Sequence, residues 1–139
     1  MATFQKFNSF VEALAEKVHN LGADTIKVAL TNSAPSATNT TFTDITEISA
    51  GNGYTAGGHT TSASSSSQTS GTYKLVMSDV VITASGGSVG PFRYVVIYND
   101  TATNNELIAF ADYGSSITLA SGETFTVDFD ATNGLLQIA

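Results

Sequence analysis

A run of hydrophobic residues in the second half of the chain constrains the fold more than any other feature. Residues 92–98 read FRYVVIY, so apolar side chains occupy both alternating positions of an extended segment. A strand with one solvent-facing side would alternate apolar and polar residues, because successive side chains point to opposite faces. The run therefore predicts a central strand that is covered on both faces.

Several other segments have a period of two, which is typical of half-buried strands. Residues 26–30 and 125–129 alternate apolar and polar side chains, and residues 73–77 continue into 80–82 with a phase change that predicts a β-bulge near Ser78-Asp79. Asn133-Gly134 predicts a hairpin that leads into the last strand. About seven strands with short connections predict a mainly β fold, an antiparallel β-sandwich or small barrel.

The first segment has a different period. Apolar residues recur every three or four positions over residues 4–21 and include Phe4, Phe7 and Phe10. This spacing predicts one amphipathic N-terminal α-helix that packs on the sheet and ends before Gly22.

Residues 50–72 are rich in Ser, Thr and Gly and include four consecutive serines at 64–67. By composition this segment is a flexible loop, and a loop of that length is usually disordered or functional. We detect no internal repeat, and 139 residues are the length of one domain, so we expect a single structural domain over 1–139.

Charge and composition exclude several classes of function. The 12 acidic residues exceed the 5 Lys and Arg, for a net charge of −7. A basic surface for nucleic acid or anionic membranes is therefore missing. The sequence has no cysteine, and Met1-Ala2-Thr3-Phe4 does not begin a signal peptide. The 20 Thr and 16 Ser predict a surface of neutral polar groups, suited to packing beside other proteins.

Three groups of titratable residues are candidates for a chemical site. Glu12, Glu16 and His19 have helical spacing that di-iron proteins use, but the second pair that such a centre needs is missing, so a solvated or subunit-facing helix surface is favoured. Asp128 and Asp130, together with Asp112, could hold a hard cation or protect an edge strand. His59 has no evident nucleophile partner, and we interpret it as a loop residue.

Tyrosines offer a possible sugar-binding face, since aromatic rings stack on sugars. The candidates are Tyr54, Tyr94, Tyr98 and Tyr113, although the shared parity of Tyr94 and Tyr98 favours core packing. No catalytic motif is recognised, so we expect neither enzyme activity nor a cofactor.

Several blocks of the sequence resemble small virion structural proteins of tailed bacteriophages. The similar segments lie at residues 10–12, 19–24, 28–32, 51–58, 66–69, 90–100 and 128–134. The resemblance implies a particle component that is made in the host cytoplasm and located in the virion.

From this resemblance we expect a capsid decoration (cement) protein that bridges capsomers. Its partners would be the major capsid protein and copies of itself, with a trimer favoured among homo-oligomers. Alternatives are a tail, collar or surface-fibre component, or a carbohydrate-binding module for host attachment. The expected contact residues are Thr3, Phe4, Phe7, Tyr54, His59 and Gln68.

Overall fold

In the computed structural model, which describes residues 3–139, the chain is mainly β with antiparallel sheets and one short N-terminal helix. The predicted fold class is confirmed, in the form of a β-sandwich-like arrangement. The helix α1 spans Phe10–Ala15, and a 3-10 turn spans Phe42–Asp44. The strands are β1 Gln5–Lys6, β2 Ile26–Thr31, β3 His59–Thr61, β4 Ala63–Thr69, β5 Thr72–Met77, β6 Val80–Thr83, β7 Val89–Asn99, β8 Leu107–Leu119, β9 Thr124–Val127 and β10 Leu136–Ile138.

The strands form three sheets around one main core. The largest has the order β1-β8-β7-β2-β3, the second has the order β10-β5-β4, and β6 pairs with β9. Side chains from all three sheets meet in one buried apolar cluster. The core therefore lies between the five-stranded sheet and the two smaller sheets.

β7 is the doubly covered strand that the apolar run predicts. Val95 and Ile97 lie in the main core, whereas Val96 and Tyr98 lie in a second apolar cluster on the opposite face. All four side chains are almost completely buried. The alternation of a strand thus places this segment in two cores at once.

The prediction of a helix over residues 4–21 is wrong in its extent. Gln5 and Lys6 pair with β8 as an edge strand. Phe4 and Phe7 have opposite parity, so the extended backbone directs Phe4 towards the main core and Phe7 into the second core. The chain passes along the edge of the sheet here, so Phe4 covers one face of the sheet and Phe7 covers the other.

The helix ends after six residues rather than at Gly22. Lys17 adopts a left-handed conformation with φ of 68°. The Val18 N–H donates to the Ala13 carbonyl at 2.8 Å, and the Lys17 N–H donates to that of Leu14 at 3.3 Å, which is the Schellman pattern. No helix between residues 3 and 139 has the length and hydrophobicity to cross a membrane.

The prediction of a flexible loop over 50–72 is also wrong in part, because this segment contains β3 and β4. β3 pairs with β2, and β4 pairs with β5. Ser70 and Gly71 both have positive φ, 51° and 85°, as a two-residue hairpin turn of type I′ requires. Serine is a poor strand signal, so β4 depends on its partner β5 rather than on its own side chains.

Two predicted connections are corrected by the sheet assignment. The phase change at Ser78-Asp79 is not a bulge: the chain leaves the β5 sheet there and enters the β6 sheet. Asn133-Gly134 does not close a hairpin, because β10 pairs with β5 and not with β9. At both places the chain switches sheets, and a switch produces the same local pattern as a bulge or a turn.

Candidate functional site

The six predicted contact residues are not one surface. Thr3 and Gln68 are exposed, and Phe4 and His59 are half-buried. Phe4 stacks on Phe129 with ring centroids 5.3 Å apart, so it anchors the N-terminal segment. The six predicted contact residues therefore have different environments: some are exposed, some hold a segment in place, and some belong to the core.

Phe7 and Tyr54 belong to the core. Phe7 is fully buried with its ring centroid 4.8 Å from that of Phe110. The Tyr54 hydroxyl accepts from the Leu30 N–H at 3.0 Å and donates to Glu47 at 2.7 Å. Burial raises the pKa of Tyr54 far above its ordinary value. These two side chains hold the fold together and present no outward contact surface.

His59 begins β3 and packs beside Tyr54, with ring centroids 5.6 Å apart. Burial lowers its pKa, so the ring is neutral at pH 7. Gln68 lies on β4, where its side-chain oxygen accepts from the Gly71 N–H at 3.1 Å and closes the β4–β5 turn. His59 and Gln68 thus lie on strands and not in a flexible loop.

β4 is exposed at six of its seven residues and ends its sheet. It spans seven residues, and they include no charged residue and no proline. Edge strands are usually protected by charge, proline or bulges, because their unpaired N–H and C=O groups can bind another strand. A register irregularity between Ala63 and Ser65 is the one protective feature of β4 in the described structure.

The register shows which backbone groups of β4 face outward. Thr69 and Thr72 flank the two-residue turn directly and form a hydrogen-bonded pair. In an antiparallel ladder such pairs alternate with non-bonded ones, so the next pair, Gln68 with Tyr73, is non-bonded. The N–H and C=O of Gln68 therefore point away from β5.

Ser66 repeats this arrangement two residues earlier. Leu75 of β5 is the partner of Ser66. The Leu75 carbonyl points away from β4 and accepts a hydrogen bond from the Leu135 N–H at 2.7 Å. Ser66 and Gln68 hence present backbone donors and acceptors along the outer margin of β4. We call the backbone of residues 63–69 on this side the β4 edge.

The surface contains a cleft with a volume of about 1040 Å³. It lies between the segment after α1, the β7–β8 loop and the inner face of the β4–β5–β10 sheet. We call it the His19 cleft. Its polar lining includes His19, Asn20, Asp24, Asn104 and Glu106. Its apolar lining includes Leu14, Val18, Tyr73 and Ile138.

His19 is buried, so the prediction that it lies on a solvated helix face is wrong. The residue follows the end of α1, and its ring stacks on Phe10 at 5.3 Å. Nδ1 lies 3.0 Å from the side-chain nitrogen of Asn99, which is completely buried. Burial lowers the pKa of His19, and the nearby carboxylates of Glu106 and Asp24 oppose this shift.

The hydrogen bonds of Asn99 fix the orientation of its amide. Its side-chain oxygen accepts from the N–H groups of Thr101 and Ala102 at 2.9 and 3.1 Å. Its NH₂ group faces His19 Nδ1 and also donates to Asp24 at 2.7 Å. His19 Nδ1 is therefore an acceptor, and the proton of the neutral ring is on Nε2. Among residues 3–139, His19 Nε2 has no hydrogen-bond partner.

Two of the three acidic residues considered as a cation site, Asp112 and Asp130, have other hydrogen-bond partners. Asp112 accepts two hydrogen bonds from Arg93, at 2.7 and 2.9 Å, which lower the pKa of its carboxyl. Asp130 accepts from the N–H groups of Thr132 and Asn133 and organises the turn before β10. In residues 3–139 no three His, Cys, Asp or Glu side chains converge as metal ligands.

The tyrosines weighed as a sugar-binding face do not form one. Tyr54 and Tyr98 are buried, whereas Tyr94 is half-buried with the Arg93 guanidinium 5.3 Å from its ring centroid. Tyr113 packs edge-on against Phe125 at 5.0 Å. The tyrosine that lines the cleft is Tyr73, which sequence reasoning assigned only to a strand.

The sequence contains little signal for the His19 cleft. His19 and Asp24 are close in the chain, but Asn99 ends β7 and Glu106 lies in the loop that follows, both about eighty residues later. The run from residue 19 to 24 includes His19, Asn20, Gly22 and Asp24, which are poor helix formers and could have indicated that the helix ends before it. Pairing that run with the β7–β8 loop requires the folded sheet.

Comparisons with protein-family models, with curated proteins and with solved structures find no match to this chain.

Proposed function

We propose that this chain is a non-enzymatic structural protein of tailed-bacteriophage virions, a capsid decoration protein that bridges capsomers. Its partners are the major capsid protein and further copies of itself. The proposal rests on the sequence resemblance and on one structural observation, the exposed and uncharged β4 edge.

The β4 edge supports an adhesive role because the strand has no charged residue and is not needed for either core. It contributes no residue to either apolar core, and its side chains are mostly exposed serines. A strand with outward backbone groups and no charge can extend a sheet into a neighbouring molecule. In a shell, the same contact is repeated at every equivalent site, so even a modest interface stabilises the whole particle.

The sheet that contains β4 has a second open margin at β10. Pairing of β4 with β10 of the next copy is a head-to-tail contact, which closes into a ring when the rotation allows it. A trimer on a symmetry axis of the shell is the ring we propose. Pairing of β4 with β4 would instead give a twofold dimer.

The test begins with purified particles of the phage that encodes the chain. Quantitative mass spectrometry should find it in hundreds of copies, as a shell component requires. Particles from a mutant that lacks the gene should release DNA at a lower temperature, and added purified protein should restore their stability.

Three outcomes would contradict this proposal. Absence of the chain from particles would refute a virion role. A copy number of a few to dozens would place it in the tail, collar or a fibre. Equal thermal stability of particles with and without the chain would refute the cement role.

A further inference from the structure

We propose that the His19 cleft binds a neutral saccharide. The site differs from the tyrosine face considered from the sequence, and binding there does not depend on a location in the virion. Four features of the cleft carry the inference: its size, its mixed lining, an unpartnered buried donor and its charge.

The cleft has the size of a ligand site. Small-molecule pockets usually measure about 300–1,000 Å³, and the volume here is about 1040 Å³. Three parts of the chain that are distant in sequence form its walls, so the shape is a product of the fold. One or two sugar rings fit this volume.

The lining combines apolar and polar groups as a sugar requires. A sugar ring has an apolar C–H face and a rim of hydroxyl groups. Tyr73 and Ile138 on one side and Leu14 on the other offer apolar contact. The Asn104 amide donates to the Glu106 carboxylate at 3.2 Å, and the remaining donor and acceptor positions of this pair can bind hydroxyls.

His19 supplies a donor that the folded chain does not satisfy. Asn99 holds Nδ1, so the protonated Nε2 is the ring nitrogen that no group of residues 3–139 satisfies; His19 lines the cleft, but Nε2 itself is buried, so a ligand contacts it only after the cleft wall moves. A buried donor without a partner is unfavourable, so an acceptor that reaches it gains an unusually effective hydrogen bond. A sugar hydroxyl is such an acceptor, and it can donate onward to a carboxylate.

The charge of the cleft selects a neutral ligand over an anion. In the described part of the chain, Asp24 and Glu106 line the cleft against one basic residue, Lys17. The chain as a whole has a charge of −7. Phosphorylated, sulfated and sialylated ligands are therefore repelled, whereas neutral hydroxyls can donate to the two carboxylates.

The test uses the full chain and four neutral probes: glucose, galactose, mannose and N-acetylglucosamine. Saturation-transfer NMR identifies which probe binds, and nitrogen-15 spectra follow the His19 ring and the backbone of residues 101–106. We expect at least one probe to bind and to shift the His19 Nε2 resonance.

Asn104→Ala is the variant that tests the cleft, because this side chain lines the cleft but is exposed, so its loss should leave the fold intact. We expect about tenfold weaker binding, the effect of one hydrogen bond to a ligand. Gln137→Ala is the control, since Gln137 lies on the opposite face of β10 from the cleft residue Ile138 and should leave binding unchanged.

Each other result overturns the inference. Binding by none of the four probes refutes a neutral-saccharide site. Binding without a shift at His19, or equal affinity in Asn104→Ala, locates the sugar elsewhere. Binding of putrescine in place of the sugars would identify a site for cations.

Discussion

β7 and β4 show two different uses of a strand in one molecule. β7 is apolar at most positions, and its alternating side chains contribute to both cores. β4 is mostly serine, lies at an edge and contributes to neither core. The contrast indicates that β7 is placed to stabilise both cores, while β4 leaves an unpaired backbone margin at the protein surface.

The largest effect expected on stability is at Phe7, which connects the N-terminal segment to the second core. Phe7→Ala should lower the free energy of unfolding by about 3–5 kcal/mol, since it removes a fully buried ring and leaves a cavity. Urea denaturation measures the change. The exposed Val11→Ala in α1 is the control, with an effect within about 0.5 kcal/mol. Equal effects would mean that the second core contributes little.

The second largest effect should come from the contact between β3 and β2. Gly58 has φ of +85°, and a Cβ there would collide with the carbonyl oxygen of Val28. Gly58→Ala should cost about 2–5 kcal/mol from backbone strain and overlap together. Gly71 has the same φ but open space around its Cβ position, so Gly71→Ala should cost only about 1–2 kcal/mol. Thermal unfolding of both variants separates strain from collision, and similar losses would contradict the close approach.

A smaller effect should appear when pH falls. Burial lowers the pKa values of His19 and His59 below the ordinary 6.5, so the unfolded chain binds more protons than the folded one just below that pH. Stability is therefore full above pH 6.5 and decreases as the pH falls through the lowered values. The slope cannot exceed about 1.4 kcal/mol per pH unit for each histidine. Asp24 and Glu106 face His19 and reduce the effect.

Urea titrations at several pH values measure this loss. His19→Phe should reduce the slope just below pH 6.5 and leave the part due to His59, although the variant is less stable overall because Asn99 loses an acceptor. Loss of stability only below pH 4 would assign the effect to carboxylates such as Asp112, whose pKa is lowered by Arg93.

The two strands also differ in how well sequence reasoning predicts them. β7 is recognisable because burial on both faces requires apolar residues throughout. β4 was interpreted as a loop because its strand conformation comes from pairing with β5 and from the Ser70-Gly71 turn. The sequence predicts an N-terminal helix that is too long, because Phe4, Phe7 and Phe10 fit a helical period. The strand β1 that places them depends on pairing with β8.

The same limit applies to the candidate sites. Phe7 and Tyr54 were expected at a surface, but their partners Phe110 and Leu30 are remote in sequence and place them in the core. Gln68 is exposed, and the register of β4 adds the finding that its backbone faces outward.

The most direct test of the role of β4 is the oligomeric state of the purified chain and two variants of Gln68, measured by sedimentation equilibrium. Both variants, Gln68→Ala and Gln68→Pro, lose the glutamine side chain, but only Gln68→Pro loses the outward backbone N–H. Neither change should alter the free energy of unfolding by more than about 1 kcal/mol. We predict that the natural chain and Gln68→Ala associate, preferably as a trimer, and that Gln68→Pro is monomeric. A monomeric natural chain, or undiminished association of Gln68→Pro, would contradict the proposal that β4 is the contact strand.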